Sequence, residues 1–126
     1  LSSLTKRRLE HFNIEFDYSE EVNVITLDAW TETNKLSPDF IKLDVEGHEY
    51  EVLSGGMKVL DSVKVIQFEF GGCNIDTRTY FQDFWYFFQA HGFSLYRITP
   101  KGPIQIVKYS EEDECFNTAN YLAVRD

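Results

Sequence analysis

Phe40-Ile41-Lys42-Leu43-Asp44-Val45-Glu46-Gly47-His48-Glu49 decides how this chain is read. Residues 40–45 form an apolar strand that runs into acids, a glycine and a histidine, and an amphipathic helix follows at once. The next apolar stretch, 63–70, repeats the pattern and ends in Glu69-Phe70-Gly71-Gly72. Open α/β sheets place their chemistry where strands end, in the crevice beyond their carboxyl termini. Two neighbouring strands are therefore expected to bring Asp44, Glu46 and Glu69 to one rim.

Side chains alternate across a strand, so Lys42, Asp44 and Glu46 share one face and Ile41, Leu43 and Val45 the other. On the second strand Gln67 and Glu69 oppose Ile66, Phe68 and Phe70. A central parallel strand is normally apolar on both faces. Lys42 is accordingly expected beside Gln67 or Glu69, because an unpaired buried charge costs several kcal/mol. At the rim, acids can act as general bases on a hydroxyl or accept hydrogen bonds from a ligand. His48 can serve the same role near neutral pH. A purely architectural role competes with this one: Glu46 and Glu49 in a first helical turn complement the helix dipole, and Asp44 suits a turn or cap.

Outward from this block, residues 1–21 are polar and read as a lead-in whose pattern allows a short helix over 4–12. Residues 22–27 are β-rich and end at Asp28, which can cap a short helix through Lys35. Ser37-Pro38-Asp39 is turn chemistry. A helix is expected over 49–61, with Leu53, Met57 and Leu60 at helical spacing. Gly55-Gly56 weakens it by about 1 kcal/mol per glycine, which close packing against the sheet would explain. A second helix over 79–91 carries Phe81, Phe84, Trp85 and Phe88 on one stripe and stops at Gly92. Strands over 93–98 and 103–109 flank the turn Thr99-Pro100-Lys101-Gly102, and a last strand covers 120–124. This order predicts an α/β domain with a parallel sheet and an antiparallel tail.

The 126 residues suffice for one domain with a real core, and 43% hydrophobic content excludes a disordered chain. A net charge of -9 argues against nucleic acid and against an anionic membrane surface. No apolar run approaches the roughly 20 residues of a spanning helix, and Lys6-Arg7-Arg8 lacks the apolar stretch of a signal peptide. Cys73 and Cys115 form no C-x-x-C pair and read as free thiols. A soluble cytoplasmic protein is expected. The first residues, Leu1-Ser2-Ser3, suggest a fragment or processed product.

Several motifs fail on inspection. His48-Glu49-Tyr50-Glu51-Val52 starts like a zinc-protease helix but lacks its second histidine. His11, His48 and His91 are scattered, so no metal is expected. There is no G-x-S-x-G elbow, so a hydrolase using the paired acids ranks low. Rings beyond one stripe on the aromatic helix suggest core packing first, and an acceptor pocket or a dimer face lined by Trp85 or Phe87 second. Arg78 on the same rim can reach an acceptor hydroxyl or carboxylate, or form a surface salt bridge. Glu111-Glu112-Asp113-Glu114 reads as a solvated loop.

The runs Ile25-Thr26-Leu27-Asp28, Phe40 to Glu49 as quoted, Glu51-Val52-Leu53-Ser54-Gly55-Gly56 and Ile66-Gln67-Phe68-Glu69 resemble the C-terminal half of an FkbM-type methyltransferase. Asn74-Ile75-Asp76, Gly92-Phe93-Ser94-Leu95-Tyr96-Arg97-Ile98 and Thr118-Ala119-Asn120-Tyr121-Leu122-Ala123 are similar to that family too. The likeness runs from about residue 22 to the end, so 22–126 would be the C-terminal part of the domain. It implies a partial class I, Rossmann-like sheet and S-adenosylmethionine-dependent methylation of a hydroxyl on a sugar or natural-product acceptor. Within it, Asp44, Glu46 and His48 take catalytic positions, Asp44 and Gly47 lie toward the cofactor, and Glu69, Arg78 and Trp85 toward the acceptor.

The chain departs from that pattern in one respect. It has no G-x-G-x-x-G or similar cofactor loop after a first strand, and the first three strands of the fold are missing from it. The expectation is a chain that binds S-adenosylmethionine weakly or not at all by itself. Residues 40–45 would become a bare sheet edge, either covered by 22–27 or used for self-association. The competing function is a non-catalytic interaction or saccharide-binding module that keeps the half-sheet.

Overall fold

Strict alternation in β2, Val65–Phe70, organises the molecule: Ile66, Phe68 and Phe70 are fully buried while Val65, Gln67 and Glu69 are half-buried. The computed structural model describes residues 3–126. β1, Phe40–Lys42, runs parallel to β2 with Lys42 opposite Gln67. β5, Ala119–Arg125, lies antiparallel on the other side of β2. β3, Phe93–Thr99, and β4, Gly102–Ile106, complete a five-stranded sheet in the order β1-β2-β5-β3-β4.

The fold is thus mixed α/β. Only β1 and β2 pair in parallel, because the last strand inserts between β2 and β3 instead of extending an antiparallel tail at the edge. Strands β1 and β4 are also shorter than the sequence pattern implies. Beyond Lys42 a single further rung, Leu43 N–H to the Gln67 carbonyl at 2.8 Å, continues the β1 pairing.

One face of the sheet holds the core. α5, Phe81–Ala90, lays Phe81, Phe84 and Phe88 on it, and Phe68 stacks on Phe84 with ring centroids 4.9 Å apart. Burying each such ring stabilises the fold by about 1.5–3 kcal/mol. α2, Glu49–Ser54, packs on the same face, with Tyr50 edge-on to Phe84 and Phe87. The opposite face keeps Lys42, Gln67, Tyr96, Leu122 and Val124 half-buried or exposed.

Three expected elements change. Residues 22–27 form no strand: Val22, Val24 and Ile25 are exposed, and the chain enters α1, Leu27–Asn34, directly. Thr26 caps α1 through Ala29 N–H at 3.1 Å, so Asp28 is not its own helix's cap. Asp28 instead accepts from Lys58 N–H at 3.1 Å and Val59 N–H at 3.0 Å, capping a different helix. That helix is α3, Met57–Leu60, for residues 49–61 break at Gly55-Gly56 into α2 and α3. The glycines face Thr26 and Leu27 at the start of α1, not the sheet. The allowed helix over 4–12 reduces to a 3-10 turn, Glu10–Phe12.

The acidic run near the end is architectural in part. Glu111–Asp113 is a 3-10 turn, and Glu114 caps α5 by accepting from Phe81 and Gln82 N–H at 2.8 and 2.9 Å. Arg125 closes the other end of the core. Its guanidinium lies 4.4 Å from the Phe93 ring and donates to the carbonyls of Val63 and Leu60.

Candidate functional site

Past β1 the chain must turn from strand into α2 within a few residues, and the acid block is built to do it. Glu46 and Gly47 take left-handed backbone angles, φ 55° and 98°. A Cβ at Gly47 would lie 2.9 Å from the Cys73 carbonyl oxygen, so both conformation and space select glycine. Glu49, 1% exposed, turns its carboxylate back into the loop. Its Oε1 accepts from Val45 N–H at 3.0 Å and Gly47 N–H at 3.4 Å. The buried acid therefore acts on the loop it follows, which is more than a favourable charge in a first helical turn.

This loop divides the other acids. Asp44 is thrown outward, about half exposed, and pairs with Lys42 Nζ at 2.8 Å. Lys42 thus turns to Asp44 at the surface, and the expected buried network with Gln67 or Glu69 does not form; Gln67 donates to Asn120 instead, at 2.8 Å. Glu46 turns inward and accepts from the Cys73 thiol at 3.0 Å and from Arg7 at 3.3 Å. Burial, with the Glu46 contact assisting, pushes the Cys73 thiol up to about 12. Glu69 is shifted above the ordinary carboxylate range, first by burial and then by Asp44, Glu46 and Glu49, with Lys42 opposing.

The lead-in crosses this rim. Arg7 also reaches Asp76 on α4, Gly72–Thr77, at 3.4 Å, and Arg8 N–H donates to the same carboxylate. Thr5 Oγ1 lies 2.9 Å from His48 Nε2, and the Ser3 hydroxyl donates to the Glu46 carbonyl. Leu9, 5% exposed, anchors the segment. One arginine between two carboxylates offsets charge that would otherwise repel. Sequence reasoning missed this strap. The signal available was Lys6-Arg7-Arg8, a basic cluster in a strongly acidic chain.

The rim thus gathers Asp44, Glu46, His48 and Glu69, while Gly47 is packed against Cys73. Arg78 ends α4 with φ 58° and an exposed side chain. Trp85 belongs to the core cluster at 8% exposure, on the expected α5 stripe with Phe81, Phe84 and Phe88. Cys73 and Cys115 are both free.

The residues present do not by themselves make a site for S-adenosylmethionine. Gly47 N–H is held by Glu49 and its α-carbon faces Cys73, so of the two positions expected to face the cofactor only Asp44 is open. Among the described residues each glycine pair lies at a helix start or break. Chemically, the arrangement offers one exposed carboxylate that can take a proton, flanked by acids held in place by Arg7 and Lys42.

The fold is a mixed α/β sheet whose one parallel strand pair ends in a glycine-bearing acidic rim. The family model for the methyltransferase FkbM domain matches residues 2–95, and the chain belongs to that family. The match takes in the lead-in and ends within β3. No curated protein and no solved structure matches the chain significantly. No helix among the described residues is long and apolar enough to cross a membrane.

Proposed function

We propose that this domain serves an S-adenosylmethionine-dependent O-methyltransferase acting on a hydroxyl of a sugar or natural-product acceptor, with the cofactor loop supplied by sequence outside these 126 residues. The single observation that carries this reading is Asp44: an exposed carboxylate at the carboxyl edge of two parallel strands, in a chain of this family. S-adenosylmethionine supplies an electrophilic methyl group when bound. Asp44 accepts the acceptor hydroxyl's proton, Lys42 holds that carboxylate, and Glu69 offers the acceptor a second oxygen. His48 is the competing base. Its Nε2 is engaged by Thr5, so it becomes available only when the strap moves. Much of the rate in such a transfer comes from in-line positioning.

The test is methyl transfer at saturating cofactor in a chain that carries the cofactor loop. Asp44→Asn is expected to lower turnover by about 10²–10⁴-fold, the range for losing a general base. Unchanged turnover removes Asp44 from the mechanism, and the same assay on His48→Ala separates the two bases. A non-catalytic module is the second reading. It draws on the strap, which ties up Glu46, His48 and Asp76. Absence of methyl transfer with the loop present would favour it.

A further inference from the structure

A cavity of about 450 Å³ opens beside the β3–β4 hairpin, beyond the segment matched by the family. Its polar lining comes from three elements: Arg97 on β3, Tyr121 on β5 and Asp113 on the acidic 3-10 turn. Ile98 and Ile104, both exposed, supply apolar walls. Arg97 and Tyr121 are register partners, and Tyr121 in turn pairs with Phe68 on β2. Since neighbouring strands lie about 4.8 Å apart, Arg97 stands three strand spacings, about 14 Å, across the sheet from β1. The cavity is therefore separate from the Asp44 rim.

Each polar group here has unused capacity. Arg97 joins no ion pair among the described residues. Tyr121 is 3% exposed as a residue and lines the cavity, and its hydroxyl makes no hydrogen bond among the described residues. Burial raises its pKa, with Arg97 opposing, so at neutral pH the hydroxyl remains a donor. Asp113 spends Oδ2 on Ser110 N–H at 2.8 Å and keeps its other oxygen. Thr99 is not available, because its hydroxyl donates to the Gly102 carbonyl at 2.7 Å.

We infer that this cavity binds a hydroxylated carboxylate: the ligand's carboxylate takes the donors of Arg97 and Tyr121, and a neighbouring ligand hydroxyl donates to Asp113. A guanidinium fork matches a carboxylate in two parallel bonds. A simple carboxylate would meet Asp113 with nothing to donate to it. A neutral polyol would leave the arginine unneutralised. A molecule with both groups satisfies all three side chains while its carbon skeleton lies on Ile98 and Ile104. The inference does not depend on methyl transfer, so its failure and the failure of the enzyme reading are distinguishable.

The test titrates the ¹⁵N-labelled 126-residue chain with D-glucuronate, with D-glucose and acetate as comparisons, reading amide shifts by NMR. Saturable shifts confined to residues 97–106 and 113–121 are expected with glucuronate, with glucose and acetate at least about tenfold weaker, the worth of one charge-assisted hydrogen bond. Arg97→Gln and Asp113→Asn, both at accessible positions, should each weaken glucuronate about tenfold while leaving the remaining spectrum in place. Tyr121→Phe keeps the core ring and removes only the hydroxyl, so it stands in if either variant unfolds. No saturable shift with glucuronate overturns the inference. Glucose or acetate binding as tightly as glucuronate overturns it too, in favour of a neutral-polyol or a simple-anion site.

Discussion

Asp44 and Glu46 are two residues apart and share an expected strand face, yet they have opposite fates. The left-handed step at Glu46 turns its carboxylate inward to Arg7 and Cys73, while Asp44 stays in water. With Cys73 buried and its thiol pushed up to about 12, native alkylation should modify Cys115 alone; mass spectrometry showing both thiols labelled at the same rate would contradict this. Glu69 has a folded pKa above its unfolded value, so ionising it opposes folding. That penalty is absent below the unfolded pKa and fully present above the folded one. Glu69→Gln should therefore raise the melting temperature at pH 7 and gain less near pH 4; a lower melting temperature at pH 7 would refute it. The acid block itself was legible in the sequence, since its residue types and spacing lie within ten positions. Its partners were not: Arg7 lies 39 residues from Glu46 and 69 from Asp76, and no local pattern encodes such pairings.

At the scale of elements, local propensity decided the central pieces and tertiary contacts decided the rest. The β2 alternation and the α5 aromatic stripe were both readable because burial follows the element's own period. Residues 22–26 have strand-forming side chains but no ladder to join, so they stay outside the sheet and exposed. The break at Gly55-Gly56 became a close approach to α1, and Asp28 caps α3 across that junction. Asp28→Ala should accordingly cost about 1 kcal/mol, as losing an N-cap does, although Asp28 stands in α1. Chemical denaturation measures this, and a change within error would remove the cross-helix cap.

For the whole molecule, the sheet is covered by helices on one face and left half-open on the other, with β1 at its margin. Phe40 on that margin is 53% exposed. We propose that the chain self-associates there, since an unpaired strand edge carrying an apolar side chain recruits another. Sedimentation across a concentration series should show a dimer that Phe40→Lys weakens; a monomer throughout would exclude the edge as an interface. The order of strands was beyond sequence reading because β5, last in the chain, pairs with both β2 and β3, and no local pattern encodes pairings between segments so far apart.

We propose that these residues build the acceptor side of a methyl-transfer site and lack the cofactor's own cradle. Calorimetric titration of the 126-residue chain with S-adenosylmethionine tests this directly. No saturable heat, or affinity no tighter than millimolar, is the expected result. A micromolar dissociation constant would mean that the rim around Asp44 and Gly47 holds the cofactor unaided, and the division of labour described above would be wrong.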